Sequence, residues 1–212
     1  MRERFLRPYN VQTPLHCELV SWGQVEHLTR KLAEKIQKAV YRPDIVIAIA
    51  RGGYVPARLL CDYLDIFNLT SIRIIHYAAG AEKLPGARLS MGLCIDVRDL
   101  KVLVVDDVSD TGDTLQLALT HIQGYKPAEV KIAVLHHKVV SEVKPDFHGQ
   151  KVVKWRWITY PWALHEDIGQ FIAAMSPRPR SADEAIQRLW DQYDIKVPQR
   201  LIVRLLQGFT GK

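Results

Sequence analysis

The chain has 212 residues, 48% of them apolar and 25% charged, enough to bury one sizeable core in a single domain with a small appendage. No apolar run approaches the roughly 18 to 20 residues that cross a bilayer, and the charged start Met1–Asn10 lacks the apolar core of a secretory signal, which together predict a cytoplasmic protein with no membrane partner. The formal charge of +6 and the pI near 9.2 favour a polyanionic ligand; with no Lys/Arg block and no aromatic RNA-binding signature, they point to a small molecule carrying several phosphates and away from nucleic acid.

In chain order, Ser21 to Gln24 has the S-x-x-Q form of a capping box, and Val25, Leu28, Leu32, Ile36 and Val40 recur at three- and four-residue steps, predicting a helix over 22–40. Asp44 to Ala50 is a short apolar run rich in β-branched residues, as expected of a strand buried on both faces, and Arg51, Gly52 and Gly53 end it. Residues 54–64 read as helix and 70–77 as strand. Ala78 to Gly92 holds three glycines, a proline and several charges with little periodicity, which predicts a mobile loop able to act as a lid. Lys101 to Asp106 is a second β-branched strand leading through a loop to a helix over 113–123, and a further strand follows over 129–136. Beyond Ser176 two short helical stretches, 182–193 and 198–208, form an appendage, so the expected organisation is one domain over 1–176 and a helical extension over 177–212. Strands alternating with helices imply an α/β fold, a mostly parallel twisted sheet flanked by helices, with ligands bound in the loops after Ala50, Val105 and Leu135. The cysteines Cys17, Cys61 and Cys94 are odd in number and lack C-x-x-C spacing, so reduced, mostly buried thiols are expected, with neither a disulfide framework nor a zinc site.

The chemistry concentrates in residues 102–115, VLVVDDVSDTGDTL, where an apolar strand delivers two adjacent carboxylates and then a Gly/Thr turn into a helix. Backbone N–H groups of Thr111 to Thr114 at a helix N-terminus can cradle a phosphate, the Thr hydroxyls add donors, and Gly112 permits close backbone approach. Asp106 and Asp107 would face sugar hydroxyls and a hard cation, because magnesium takes one or two carboxylates together with substrate oxygens.

This stretch resembles the motif with which type I phosphoribosyltransferases bind phosphoribosyl pyrophosphate (PRPP): four apolar residues, two acids, two variable positions, then D-T-G-x-T. Residues 46–57, VIAIARGGYVPA, resemble the family's pyrophosphate loop. WITYPW at 157–162 is similar to the W-I-x-x-P-W segment of bacterial xanthine-guanine phosphoribosyltransferases, and Val20 to Trp22 to their opening V-T-W. The resemblance covers about residues 18–165. It implies a fold with a small base-binding hood, here over 138–165, and transfer of phosphoribose from PRPP to a 6-oxopurine (guanine, hypoxanthine or xanthine), yielding a nucleoside monophosphate and pyrophosphate in purine salvage. It further implies Mg2+ as cofactor and a homodimer or homotetramer.

Residue by residue, the resemblance assigns Asp106 and Asp107 to the ribose hydroxyls, Asp107 also to magnesium, and Thr111, Gly112, Asp113 and Thr114 to the 5′-phosphate, with Val108 and Ser109 completing the PRPP loop. Arg51 and Gly52 take pyrophosphate, in a turn where the family often has a cis non-proline peptide. Asp110 is the catalytic carboxyl, exchanging a proton with N7 of the base. Trp157 stacks on the purine, the Ile158 backbone bonds its edge, and Lys138 donates to the 6-oxo group. An amino group there, as in adenine, would leave Lys138 unpaired. Asp113 departs from the pattern by adding a carboxylate to a loop meant for a dianion. Lys83 and Arg88 of the lid are cations that could reach the pyrophosphate.

Plainer readings stand beside these. Arg51 to Gly53 would also serve as a strand-to-helix turn, Trp157 and Trp162 as core aromatics, Lys138 as a solvated lysine, and His136 and His137 as packing residues with no metal to bind. The competing functions are transfer to adenine or a pyrimidine, and a non-catalytic regulator that senses PRPP or a nucleotide on the same fold.

Overall fold

The computed structural model describes residues 16–77 and 86–210, and its chain divides into two compact units, one drawn from the segments up to Trp22 and from Arg156 onward, the other from Gly23–Trp155. Among the described residues no helix is long and apolar enough to cross a membrane.

The first elements are β1 (Cys17–Leu19), a short strand of the smaller unit, and α1 (Trp22–Lys38). Helix α1 buries Val25, Leu28, Leu32 and Ile36, the stripe seen in the sequence. Val40 lies past its end, exposed and at φ 52°, so the helix stops two residues short of the expected span.

The rest of the larger unit is a six-stranded sheet and its helices: β2 (Ile45–Ala50), α2 (Tyr54–Leu64), β3 (Leu69–Tyr77), β4 (Gly86–Met91), β5 (Lys101–Ser109), α3 (Asp113–Gln123), β6 (Glu129–Lys138) and β7 (Phe147–Val152). The strand order is β4-β3-β2-β5-β6-β7, parallel throughout except for β4 against β3. Every residue of β2 is buried because the strand is central and covered on both sides. On one face Ile45, Ile47 and Ile49 join Val102, Val104, Ile132 and Val134 in a core closed by Leu115, Ala118 and Ile122 of α3. The alternate residues Val46, Ala48, Leu103 and Val105 are equally buried and point the other way, as the two-residue period of a strand requires. Helix α2 packs against β2, β3 and β5, and Leu28 of α1 reaches Gly149 of β7.

The sheet differs from expectation in three of its strands. Residues 86–91, read as loop, form β4, because Ala87 and Leu89 alternate against the α3-side core and pair with the edge of β3; residues 78–85, with Lys83, lie outside the described residues. Strand β6 runs two residues beyond its expected end and carries Lys138 within it. Strand β7 was not foreseen, its FHGQKV sequence being too polar to announce a strand.

The smaller unit continues with β8 (Trp157–Thr159), which pairs in parallel with β1, and with α4 (Leu164–Ala174), α5 (Ala182–Tyr193) and α6 (Gln199–Thr210). Ser181 caps α5 by accepting the Glu184 N–H at 3.1 Å. The three helices share one core of Ile168, Phe171, Ile172, Leu189, Ile202 and Leu205. Of the thiols, Cys61 is buried, Cys17 partly so and Cys94 exposed, the last departing from the expected burial.

Candidate active site

Strands β2, β5 and β6 are adjacent and parallel, so their carboxyl ends open at the same edge of the sheet. Strand β2 leads into the turn Arg51–Gly53, entered through a cis peptide at Ala50–Arg51, as the resemblance implied. A Cβ placed on Gly52 would lie 2.3 Å from Oδ2 of Asp107, so the turn after β2 and the acid pair of β5 occupy adjoining space although 55 positions separate them. A Cβ on Gly53 would lie 2.3 Å from the Val105 carbonyl oxygen, which explains how this turn lies flat on the central strands.

Asp106 and Asp107 lie within β5, which extends to Ser109. Asp106 is 7% exposed, and its Oδ1 accepts the Asp107 N–H at 2.9 Å. Burial, and next the charge of Asp107, push its carboxyl well above the usual range. With Asp106 inclined to keep its proton, Asp107 is the anionic oxygen donor of the pair that could share a hard divalent cation with substrate oxygens. Asp107, beside Gly52, is the better placed of the two to share a cation with a ligand on the turn.

Past β5 the chain turns sharply. Val108 is half-buried, while Ser109 is buried with its hydroxyl 2.6 Å from that of Ser141. Gly112 precedes α3 at φ 107°, and a Cβ there would meet the Val143 nitrogen at 2.8 Å. Glycine is therefore needed by the backbone conformation and by the close approach of residues 141–143. The Thr111 carbonyl accepts the Glu142 N–H at 2.8 Å, so the segment after β6 braces the turn. Asp113 opens the helix and accepts the Thr111 hydroxyl proton at 2.9 Å, placing a carboxylate at the positive end of α3. An incoming phosphate at Thr111 to Thr114 would compete with it. A pocket of about 450 Å³ adjoins Gly112 and Asp113 on the side of Gln116 and Ala87, and neither Arg51, Asp107 nor Lys138 lines it.

Asp110 and Lys138 meet at the ends of β5 and β6. Lys138 Nζ lies 2.9 Å from Asp110 Oδ2, and Lys138 is 2% exposed, which removes the solvated-lysine reading. The other carboxylate oxygen, Oδ1, accepts the indole N–H of Trp155 at 3.1 Å, and Lys138 Nζ stands 4.3 Å from the centre of that ring. Next to Lys138, His136 is buried, and burial, then the charge of Lys138, hold its imidazole down at about 4. His136 and His137 thus pack within the fold.

Trp157 and Ile158 belong to the smaller unit, on β8. The Trp157 indole N–H is donated to Asp167 Oδ2 at 2.9 Å, and Thr159 donates to the same oxygen at 2.8 Å. Trp162 stacks on Tyr160 at 4.7 Å and leans on Trp22 at 5.9 Å. Trp155, Ser141 and Asp167 were not singled out in the sequence. Trp155 stands two residues before Trp157 but belongs to the larger unit, and no local pattern marks it.

Residues 18–167 match the family model described as phosphoribosyl transferase domain. A hypoxanthine-guanine phosphoribosyltransferase of Saccharomyces cerevisiae (strain ATCC 204508 / S288c) is 29% identical over 189 residues, spanning 68% of this chain and 85% of that protein. A xanthine-guanine phosphoribosyltransferase of Ruegeria sp. (strain TM1040) is 31% identical over 155 residues, spanning 68% and 84%. The crystal structure of a purine phosphoribosyltransferase from Pyrococcus horikoshii Ot3 superposes with a TM-score of 0.62 at 34% identity, covering 70% of this chain and 94% of that one. The family model takes in the acid pair, the D-T-G turn, the β2 turn and both tryptophans of WITYPW, and this chain belongs to the phosphoribosyl transferase domain family, as a phosphoribosyltransferase.

Proposed function

We propose that this phosphoribosyltransferase carries the 5-phosphoribosyl group from PRPP to a 6-oxopurine, releasing pyrophosphate and a nucleoside monophosphate. The observation that carries this reading is the buried Lys138 ammonium fixed 2.9 Å from the Asp110 carboxylate. A 6-oxopurine offers such a pair an oxygen for the ammonium and a ring N–H for the carboxylate. Adenine offers no acceptor at the exocyclic position, and a buried ammonium left without one costs several-fold to thousands-fold in selectivity.

In this reading N9 of the base attacks C1 of the ribose as pyrophosphate leaves, through a transition state with sugar-cation character. Asp110 takes the N7 proton as the new bond forms. Arg51 and Gly52 hold the departing pyrophosphate, Asp106 and Asp107 orient the ribose hydroxyls, and the N–H groups of 111–114 hold the 5′-phosphate. Magnesium held by Asp107 and PRPP oxygens would neutralise charge on the leaving group. Trp157 and Ile158 are assigned to the base by the family motif.

The test is nucleotide formation from PRPP and magnesium with guanine, hypoxanthine, xanthine, adenine, uracil and orotate in parallel, for wild type, Lys138→Met and Asp110→Asn. Turnover confined to the oxopurines, falling by about a hundredfold or more in Lys138→Met, is expected. Equal turnover of adenine would overturn the base assignment. Silence with all six bases despite PRPP binding would establish the sensing regulator instead.

A further inference from the structure

Three groups of the larger unit close on one another: Trp155 gives its indole N–H to one oxygen of Asp110, Lys138 holds the other, and the ammonium of Lys138 lies against the indole face. The indole is a planar bicycle with an N–H on its five-membered ring. A purine presenting a ring N–H to Asp110 and an oxygen to Lys138 has the same outline and makes the same first contact; the second is replaced in the protein by the negative π face of the indole. Lys138 is anchored, with its side chain 3% exposed. Trp155 is 39% exposed and belongs to neither buried cluster, so it can leave without opening a core.

We infer that Trp155 is a built-in stand-in for the base, holding Asp110 and Lys138 in place of an oxopurine and yielding the position when one arrives. This rests on the assignment of Asp110 and Lys138 to the base made above. The consequence is quantitative. A residue that reads the base changes the relative preference among bases, whereas an internal competitor divides the affinity for every base by the same factor, the inverse of the fraction of molecules in which the position is open. A partly exposed N–H bond to a carboxylate together with a cation–π contact makes that factor about tenfold.

The experiment is steady-state kinetics at saturating PRPP with guanine, hypoxanthine and xanthine, for wild type, Trp155→Ala and Trp155→Phe. Phenylalanine keeps a ring for Lys138 and removes the N–H to Asp110. The expected result is a fall in KM of about tenfold in Trp155→Ala, common to the three bases, with a smaller common fall in Trp155→Phe. A KM that stays the same or rises, or a fall restricted to one base, overturns the inference, because Trp155 would then be either inert or part of the base site itself. Unchanged PRPP affinity by calorimetry confirms that the variants are folded. Absence of oxopurine turnover in wild type is a separate failure, that of the functional reading.

Discussion

The contact between Gly52 and Asp107 allows a substitution whose effect on chemistry is separable from its effect on folding. In Gly52→Ala the new Cβ falls 2.3 Å from Asp107 Oδ2 and 2.6 Å from Oδ1, about 1 Å inside the 3.4 Å at which ordinary contact begins. The obstacle is a carboxylate, which can rotate away, so the cost is borne by the position of Asp107 and the fold survives. Misplacing a catalytic-site group by about 1 Å costs on the order of a hundredfold in rate, or about 2.7 kcal/mol of transition-state stabilisation. Gly53→Ala is the contrast, since its Cβ meets the Val105 oxygen at 2.3 Å and the Ile49 oxygen at 2.8 Å, main-chain atoms of two central strands. Overpacking of this kind removes about 1 to 3 kcal/mol or more of stability. The assay is kcat/KM for PRPP at several magnesium concentrations, with thermal unfolding alongside and the double variant Gly52→Ala/Asp107→Ala completing a cycle. Gly52→Ala should lose activity, need more magnesium and keep its Tm, while adding little to the loss in Asp107→Ala. Additive losses in the double variant, or equal Tm losses in both glycine variants, would refute the reasoning.

Two further outcomes follow from the packing. His148 is held at about 4 by burial and then by Lys35, with His137, Lys151 and Lys144 adding to the shift, so it stays neutral in the fold where the unfolded chain takes up a proton near pH 6.5. Its contribution to stability is therefore complete above about pH 6.5 and declines as pH falls toward 4, and the urea midpoint should drop more between pH 7 and 5 in wild type than in His148→Gln. Asp106, shifted in the opposite direction, is common to both proteins and cancels; parallel pH dependences would remove the explanation. In the smaller unit, Leu189→Ala deletes a fully buried side chain of the helical core and should cost about 2 to 5 kcal/mol, against little for Val203→Ala on the exposed side of α6, so equal denaturation midpoints for the two would argue against a shared core.

Where burial and hydrogen bonding are local, the sequence was readable. Strand β2 is an unbroken apolar run, α3 follows a glycine turn, and α5 follows a serine cap, and each spans its expected residues to within one position. The edge strands β4 and β7 escaped because an edge needs only one apolar face and tolerates polar residues on the other. Lys138 looks solvated in isolation; its burial depends on β6 continuing until the ammonium meets Asp110, a partner 28 positions away. The adjoining of Gly52 and Asp107 and the bond from Trp155 to Asp110 are products of strand order, which no local pattern encodes.

The parallel pairing of β1 with β8 sets an order of events during synthesis. Cys17 pairs with Trp157, so the first strand leaves the ribosome about 140 residues ahead of the one it must join. Translation at roughly 5 to 20 residues per second imposes a wait of several seconds or more, in which Gly23–Trp155 is itself made and, by the end, has everything its sheet requires. The delay is kinetic and carries little thermodynamic weight, since each doubling of a closed loop adds only about 0.6 kcal/mol. The small two-stranded sheet can thus pair only once every strand of the larger sheet has been made.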